Sequence, residues 1–373
     1  MARRDIGTDD PRVRVRPGRG SRPRTKQRPS HADAALGMVT RIDRGHYRMR
    51  LDGPGLTEDS SGNITAMKAR ELGRGKVVVG DRVAVVGDTS GRKGTLARMV
   101  RIEERTTLLR RSAEDGDTAG TERAIVANAN QLVIVTAVAD PEPRPRMIDR
   151  YLVAAYDAGM EPLIVLTKTD LADAAPLTGL YSPLGVHCLA TRLSPHVAGT
   201  EPSQTGGDEL PDDGVEAVRQ ALDGASSVLV GHSGVGKSTL INALVPGADR
   251  ATGHVNEVTG RGRHTSTSLE ALELPGGGWV IDTPGVRSFG VSHVGSADVL
   301  RGFPDLASVA EDCPRGCTHE DGVVDCALDT WASTTDGPAA PGASVASEDR
   351  RARVESFRRL LAPSLEAEDP TRP

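Results

Sequence analysis

The run Gly231-His232-Ser233-Gly234-Val235-Gly236-Lys237-Ser238 follows a short apolar stretch, Ser227–Val230, and precedes a helix-prone one, Thr239–Leu244. No other feature narrows the choice of fold so far. Gly231, Gly234 and Gly236 let the backbone turn so that consecutive N–H groups point inward. Such a loop needs a buried strand before it and a helix after it, which is one unit of a parallel α/β sheet. Further apolar runs, Leu132–Ala137, Leu163–Leu166, Val228–Val230 and Trp279–Ile281, read as strands buried on both faces. Helical stretches such as Arg146–Ala158 and Val215–Leu222 lie between them. A doubly wound sheet with right-handed connections is expected, with ligands beyond the carboxyl ends of its strands.

In that setting the glycine loop reads as a phosphate cradle. Its N–H groups and the following helix N-terminus attract phosphate oxygens, Lys237 adds a point charge toward the β- and γ-phosphates, and the Ser238 hydroxyl suits Mg²⁺. His232, Ser233, Val235 and Thr239 belong to the same nucleotide-contacting run. Asp282-Thr283-Pro284-Gly285 ends the next strong strand, about 45 residues on. There Asp282 can reach Mg²⁺ through a water, and the Gly285 N–H can donate to the γ-phosphate.

Thr167-Lys168-Thr169-Asp170 ends the strand Leu163–Leu166. A carboxylate at Asp170 accepts from guanine N1–H and the exocyclic amine, groups that adenine does not present in that arrangement. A site built on such bonds rejects the wrong base by roughly 10⁴-fold, because the carboxylate is otherwise unpaired. The turn also reads as an ordinary helix cap when taken alone; the phosphate loop favours the base-reading role. Between the loop and Asp282 lies Thr259-Gly260-Arg261-Gly262-Arg263-His264-Thr265-Ser266-Thr267. It has the character of a switch segment ordered by γ-phosphate and Mg²⁺, with Thr265 completing the magnesium shell. Apolar Val286 follows Gly285 where many GTPases carry a water-positioning Gln nearby, so something else must orient the water. His264 is the candidate, although it reads equally as a solvent-exposed loop imidazole.

Residues 35–112 carry about five short β-prone runs: Gly37–Val39 with Tyr47–Leu51, Ile64–Ala69, Val77–Val86 and Leu96–Ile102. They suit a small barrel of the oligonucleotide/oligosaccharide-binding (OB) type, although any small barrel reads alike. Residues 1–34 form a Pro/Gly/Arg-rich tail expected to be disordered. Its first 30 residues hold ten Lys/Arg against three Asp, although the whole chain is net -5. The tail reads as an RNA-binding arm or as a solvated extension. At 2% aromatic residues, base stacking cannot dominate any nucleic-acid contact. Residues 192–214 look like a polar insertion and 333–348 like a linker. A final amphipathic helix, about Glu348–Leu361, sets Val354, Phe357, Leu360 and Leu361 on one stripe, with Arg350, Arg351, Arg353, Arg358 and Arg359 elsewhere. Those arginines read as a packed helix's margin or as an RNA-facing surface.

Cysteine is scarce, and three of four cluster with a histidine: Cys313, Cys317, His319 and Cys326. Four soft or borderline ligands in one short segment suit a closed, structural, tetrahedral Zn²⁺ site, one ion per chain. Cys188 stands apart and reads as a small hydrophobe. No apolar run approaches the roughly 18–20 residues of a membrane helix. The Arg-rich N-terminus lacks a secretory apolar core. A cytoplasmic, monomeric protein is expected.

The order of these motifs resembles the ribosome small-subunit-dependent GTPases of the RsgA family, whose GTPase motifs are circularly permuted. Here Thr167–Asp170 precedes Gly231–Ser238, which precedes Thr265 and then Asp282–Gly285. The resemblance spans about residues 35–330. It implies an N-terminal OB barrel (35–112), a permuted GTPase domain (113–300) and a zinc-binding helical domain (301–373). It also implies a factor of late 30S subunit maturation that binds 16S rRNA and GTP/GDP, with Mg²⁺ accompanying the nucleotide and hydrolysis stimulated by the subunit. His264, Lys237 and Thr265 are then the catalytic group. Two positions depart from the family pattern. Thr167 stands where Asn is usual, and no Ser-Ala second guanine contact is evident; Ala190-Thr191 is the best-placed substitute. The gap between Cys313 and Cys317 is also shorter than in the family. An alternative class is a zinc-containing nucleic-acid-binding protein with a regulatory nucleotide site; Lys237, Ser238, Asp282 and Asp170 together favour the enzyme. Asp170 argues against an ATPase.

Overall fold

The computed structural model describes residues 31, 33–53, 61–72, 77–111, 123–192, 214–248, 269–283, 294–334 and 347–368. The basic tail, most of the 192–214 insertion, His264, Thr265 and Gly285 lie outside these residues.

Five strands open the chain: β1 (Ala35–Asp43), β2 (His46–Leu51), β3 (Asn63–Lys68), β4 (Arg82–Gly87) and β5 (Ala97–Ile102). They are ordered β1-β2-β3-β5-β4, and β4 pairs back onto β1, so the sheet closes into a barrel with β3 and β5 parallel. Inward-facing residues alternate along the strands, and Val39, Met49, Ile64, Ala66, Val83, Val85 and Met99 fill the interior. The single run expected at Val77–Val86 is two pieces. Val79 forms an isolated bridge with Val126, and β4 begins only at Arg82. The break is at Gly80-Asp81. Asp81 is fully buried, accepts from the Val78 N–H at 2.8 Å and receives both Nε and a terminal nitrogen of Arg105 at 2.7 and 2.9 Å.

Two strands that the sequence reading missed, β6 (Leu108–Arg111) and β7 (Arg123–Ala127), pair antiparallel beside this turn. Arg110-Arg111 and the polar residues after them hide the apolar alternation by which a strand is recognised.

The α/β core follows as β8 (Gln131–Ala137), α1 (Pro145–Asp157), β9 (Glu161–Thr167), α2 (Ala175–Tyr181), β10 (His187–Ala190), α3 (Val215–Leu222), β11 (Ser226–Val230), α4 (Lys237–Leu244), β12 (Glu270–Glu273) and β13 (Trp279–Asp282). The strands are ordered β10-β9-β8-β11-β13-β12, all parallel except β12. Leu132 and Ile134 pack into one buried cluster with α1, while Val133 and Val135 pack into another with α3 and α4. Burial on both faces is what made these runs continuously apolar. The antiparallel edge strand β12 joins the core to the barrel: Arg41 of β1 pairs with Glu270, and their side chains meet at 3.3 Å. The register of β1 shifts between Val39 and Arg41, so its first half serves the barrel and its second half reaches the core.

Among the described residues that follow lie four helices: α5 (Ser296–Leu300), α6 (Pro304–Ala310), α7 (Ala327–Ser333) and α8 (Ser347–Glu368). Val354, Phe357, Leu360 and Leu361 of α8 are buried, as the stripe predicts. The RNA-facing reading of its arginines is corrected. Arg350 lies over the Trp331 ring, Arg353 pairs with Asp305, Arg358 with Asp329 and Arg359 with Asp149. Of the five, Arg351 is the one exposed to solvent. The acids that pair with Arg353, Arg358 and Arg359 come from α6, α7 and α1, far off in sequence, so helical periodicity alone could not show them. Burial raises the Asp149 carboxyl above its ordinary range, and the Arg359 charge works against that rise.

Gly80 has φ +87, and a Cβ there would fall 2.0 Å from the Ala127 carbonyl oxygen of β7. Gly80→Ala should therefore destabilise the protein by at least about 2 kcal/mol. Thermal denaturation should show the apparent melting temperature falling by at least about 4 °C.

Candidate active site and metal centre

The parallel strands end together at one edge of the sheet, and the sequence-predicted residues sit there. Thr167, Ala190 and Asp282 are the last residues of β9, β10 and β13, and Gly231 follows β11 directly. A Cβ on Gly231 would lie 2.4 Å from the Val135 carbonyl oxygen of β8, so only glycine lets the loop leave at this angle. Gly234 and Gly236 adopt φ +83 and +88, and Gly236 stands at the N-terminus of α4. Lys237, Ser238 and Thr239 form the first turn of that helix, so its partial positive charge adds to the cradle.

Lys237 Nζ lies 3.0 Å from Asp282 and donates to the Thr283 carbonyl at 3.1 Å. The cation assigned to the phosphates and the carboxylate assigned to magnesium are thus within reach of each other. Asp282 is itself 5% exposed, and the Thr283 hydroxyl donates to Leu229 O at 2.7 Å, which pins the end of β13 against β11.

The Thr167–Asp170 turn is tied to the glycine loop through Thr167. Its buried hydroxyl donates to the Val235 carbonyl at 2.6 Å and lies 3.3 Å from the Thr136 carbonyl. Threonine in place of the family's usual asparagine therefore keeps a bond between the two motifs. Lys168 adopts φ +59, and its ammonium donates to the carbonyl of Asp140. That residue belongs to the turn after β8, which carries no recognisable motif in the sequence. The missed signal was the polar Asp140-Pro141 step ending a buried run. Asp170 stands exposed in the next turn. The Thr191 carbonyl accepts from both the N–H and the hydroxyl of Thr169, at 3.3 and 3.1 Å, and the Thr191 N–H donates to Leu166 O at 2.7 Å. Ala190-Thr191 and Thr167–Asp170 are consequently neighbours at the edge of the sheet.

The cysteines meet on the C-terminal side. His319 Nδ1 lies 3.6, 3.5 and 3.9 Å from the sulfurs of Cys313, Cys317 and Cys326, and all four ligand atoms fall within 4.8 Å of one another. Zn–S and Zn–N bonds of about 2.3 and 2.0–2.1 Å at tetrahedral angles place ligand atoms about 3.5–3.8 Å apart, so the set fits a tetrahedral ion. These residues can hold a metal. Burial lowers the His319 pKa, with the Arg358 charge adding to the effect, which favours the neutral form that a metal ligand needs. Burial raises the Cys317 thiol to about 11, and a divalent cation supplies the charge that favours the thiolate. Cys188, half-buried in β10 and likewise raised to about 11 by burial, is an unreactive packing residue.

A glycine loop with Lys237 after β11, an acidic strand end on β13 and the Thr167–Asp170 turn after β9, which comes earlier in the chain, have the arrangement of a circularly permuted GTPase. A family model described as RsgA GTPase matches residues 102–292. The small ribosomal subunit biogenesis GTPase RsgA of Ectopseudomonas mendocina (strain ymp) is 37% identical over 282 residues, covering 74% of this chain and 75% of its own. The protein of that name from Pseudomonas aeruginosa (strain LESB58) is 39% identical over 245 residues, 65% of this chain and 67% of its own. Two crystal structures share the fold. YjeQ from Thermotoga maritima has a TM-score of 0.59 at 23% identity, over 89% of this chain and 98% of its own. YloQ, a circularly permuted GTPase, has 0.60 at 20%, over 92% and 98%. The chain belongs to the RsgA GTPase family and is a GTP hydrolase.

Thr167→Val keeps the shape of the side chain and removes its donor. It should weaken binding of a fluorescent GDP analogue about 5–30-fold, the equivalent of one lost buried hydrogen bond, while Thr167→Ser stays close to the parent. Equal affinity in all three proteins would show that the tether contributes nothing to the nucleotide site.

Proposed function

We propose that this chain binds the small ribosomal subunit through its 16S rRNA and assists late maturation, hydrolysing GTP to GDP and phosphate with stimulation by the subunit. The observation that carries the reading is one edge of a buried sheet where Thr167–Asp170, Gly231–Thr239 and Asp282 converge, set between a five-stranded barrel and a Cys₃His cluster. The names of the relatives add the ribosomal destination.

Asp170 selects guanine, with Lys168, Thr169 and Ala190-Thr191 shaping the base end. The backbone of Gly231–Gly236 and the Lys237 ammonium hold the β- and γ-phosphates, and the Gly285 N–H meets the γ-phosphate. Ser238, Thr265 and, through a water, Asp282 would hold Mg²⁺, which supplies Lewis-acid neutralisation of phosphate charge. His264 orients the attacking water, with Lys237 and Thr265 completing the catalytic group. Cys313, Cys317, His319 and Cys326 would hold one structural Zn²⁺.

The chain divides by role into a basic arm (1–34), an RNA-binding barrel (35–112), the GTPase (113–300) and the zinc region (301–373). It works as a cytoplasmic monomer. Because the motifs are permuted, the segment after Asp282–Gly285 runs straight into the zinc region, so rearrangement on hydrolysis passes to Pro304–Cys326.

Turnover of GTP and ATP, measured with and without purified small ribosomal subunits, tests the reading. GTP alone should be hydrolysed, slowly until subunits are added. No stimulation would sink the ribosomal role, and equal turnover of both nucleotides would sink the role of Asp170. His264→Ala should lower stimulated turnover by about 10²–10³-fold with nucleotide affinity intact, as loss of a group acting only in the transition state does. Unchanged turnover would remove His264 from the mechanism.

A further inference from the structure

One arginine of α8 reaches the Cys₃His cluster. Arg358 Nε donates to the His319 carbonyl at 3.0 Å, its terminal nitrogens hold Asp329 at 2.7 and 2.9 Å, and one of these lies 3.9 Å from Cys326 Sγ. Its side chain is 13% exposed. His319 holds φ +60, a conformation uncommon outside glycine, so a bond to its carbonyl acts where the backbone most needs support. Asp329 lies in the first turn of α7 directly behind Cys326, and the N–H that opens this helix, on Ala327, donates to Cys313 Sγ at 3.3 Å. Arg358 thus touches two candidate ligands and steadies the helix that serves a third. Three thiolates around a dication leave one negative charge, and the guanidinium is the cation against it.

The neighbouring Arg359 faces the GTPase core. Its guanidinium meets Asp149 of α1 at 3.3 Å, donates to the Leu180 carbonyl at 3.3 Å and lies 5.2 Å from the centre of the Tyr181 ring. Arg353 pairs with Asp305 and donates to the Pro183 carbonyl at 2.9 Å. Leu180 and Pro183 lead into β10, whose end is the Ala190-Thr191 pair.

We propose that Arg358 is a positioning residue for the Cys₃His metal site, and that α8 couples metal occupancy to its own docking on the GTPase core. The inference rests on the zinc reading of the cluster. A bound ion holds Cys326 and His319 where Arg358 can grip them, and a docked α8 holds Arg358 where the ligands need it. Linkage makes each effect strengthen the other by the same factor.

The test uses the full chain. Zinc affinity is measured by competition with a chromophoric chelator, and hydrogen exchange is followed at the α8 amides of Asp349–Leu361. Arg358→Met, which keeps the stem without the donors, should weaken zinc binding about 10–100-fold. Arg358→Lys, which keeps charge without the planar fork, should fall between it and the parent. Stripping zinc from the parent should speed exchange along α8. GDP binding equal to the parent shows that a variant is folded; if the Met variant fails that check, the Lys variant decides. Zinc affinity within about twofold of the parent in every folded variant overturns the role of Arg358. Exchange along α8 that ignores zinc overturns the coupling. A parent chain that binds no zinc overturns the metal reading beneath both, an outcome distinct from failure of the arginine alone.

Discussion

Burial of the parallel strands on both faces is the constraint from which the rest follows. Leu132 and Ile134 look one way, Val133 and Val135 the other, and both sets are sealed by helices. Polar loops can leave such a sheet only at its ends. Each strand running in the same direction therefore delivers its next residues to one edge, and there Thr167, Ala190, Gly231 and Asp282 gather. What assembles the site is the order of strands in space. The order of strands along the chain is free to differ, which is why a permuted sequence still builds a GTPase edge.

The site's parts are joined by bonds to backbone. Thr167 donates to Val235 O, Thr169 to Thr191 O, Lys168 to Asp140 O, and Thr283 to Leu229 O. Each links the end of one strand to the end or following loop of another. Bonds of this kind hold the Thr167–Asp170 turn, the glycine loop and the acidic strand end at a set spacing, while Asp170 stays exposed. The same logic recurs outside the core. Four of five named arginines on α8 serve as tethers, and Arg105 secures a wholly buried Asp81 at the foot of the barrel. An unpaired carboxylate at that depth would be strongly destabilising, so Asp81 and Arg105 depend on each other.

Legibility in the sequence varied with how local the signal was. The phosphate loop was plain because its glycines, its lysine and its flanking strand and helix all fall within about twenty residues. The barrel was readable in outline, since its strands alternate on a short period, but the break at Gly80-Asp81 was not. At that break the Ala127 carbonyl, from a strand more than forty residues on, leaves no room for a Cβ on residue 80. The arginines of α8 stayed ambiguous for the same reason: the partners Asp149, Asp305 and Asp329 come from three other helices.

By itself the sequence determined the chemistry on offer: the glycine cradle with Lys237 and Ser238, the carboxylates of Asp170 and Asp282, and the Cys₃His ligand set. It also determined the order in which these appear, because residue type and local spacing need no partner to be read. Only the tertiary structure decided that Thr167 bonds to the glycine loop, that Ala190-Thr191 lies beside Thr169, that β1 is shared between barrel and core, and that Arg358 and Arg359 face a Cys₃His cluster and the α/β core from adjacent positions. Those contacts join residues from about twenty to more than two hundred positions apart, and such pairings are settled by how buried surfaces close on one another.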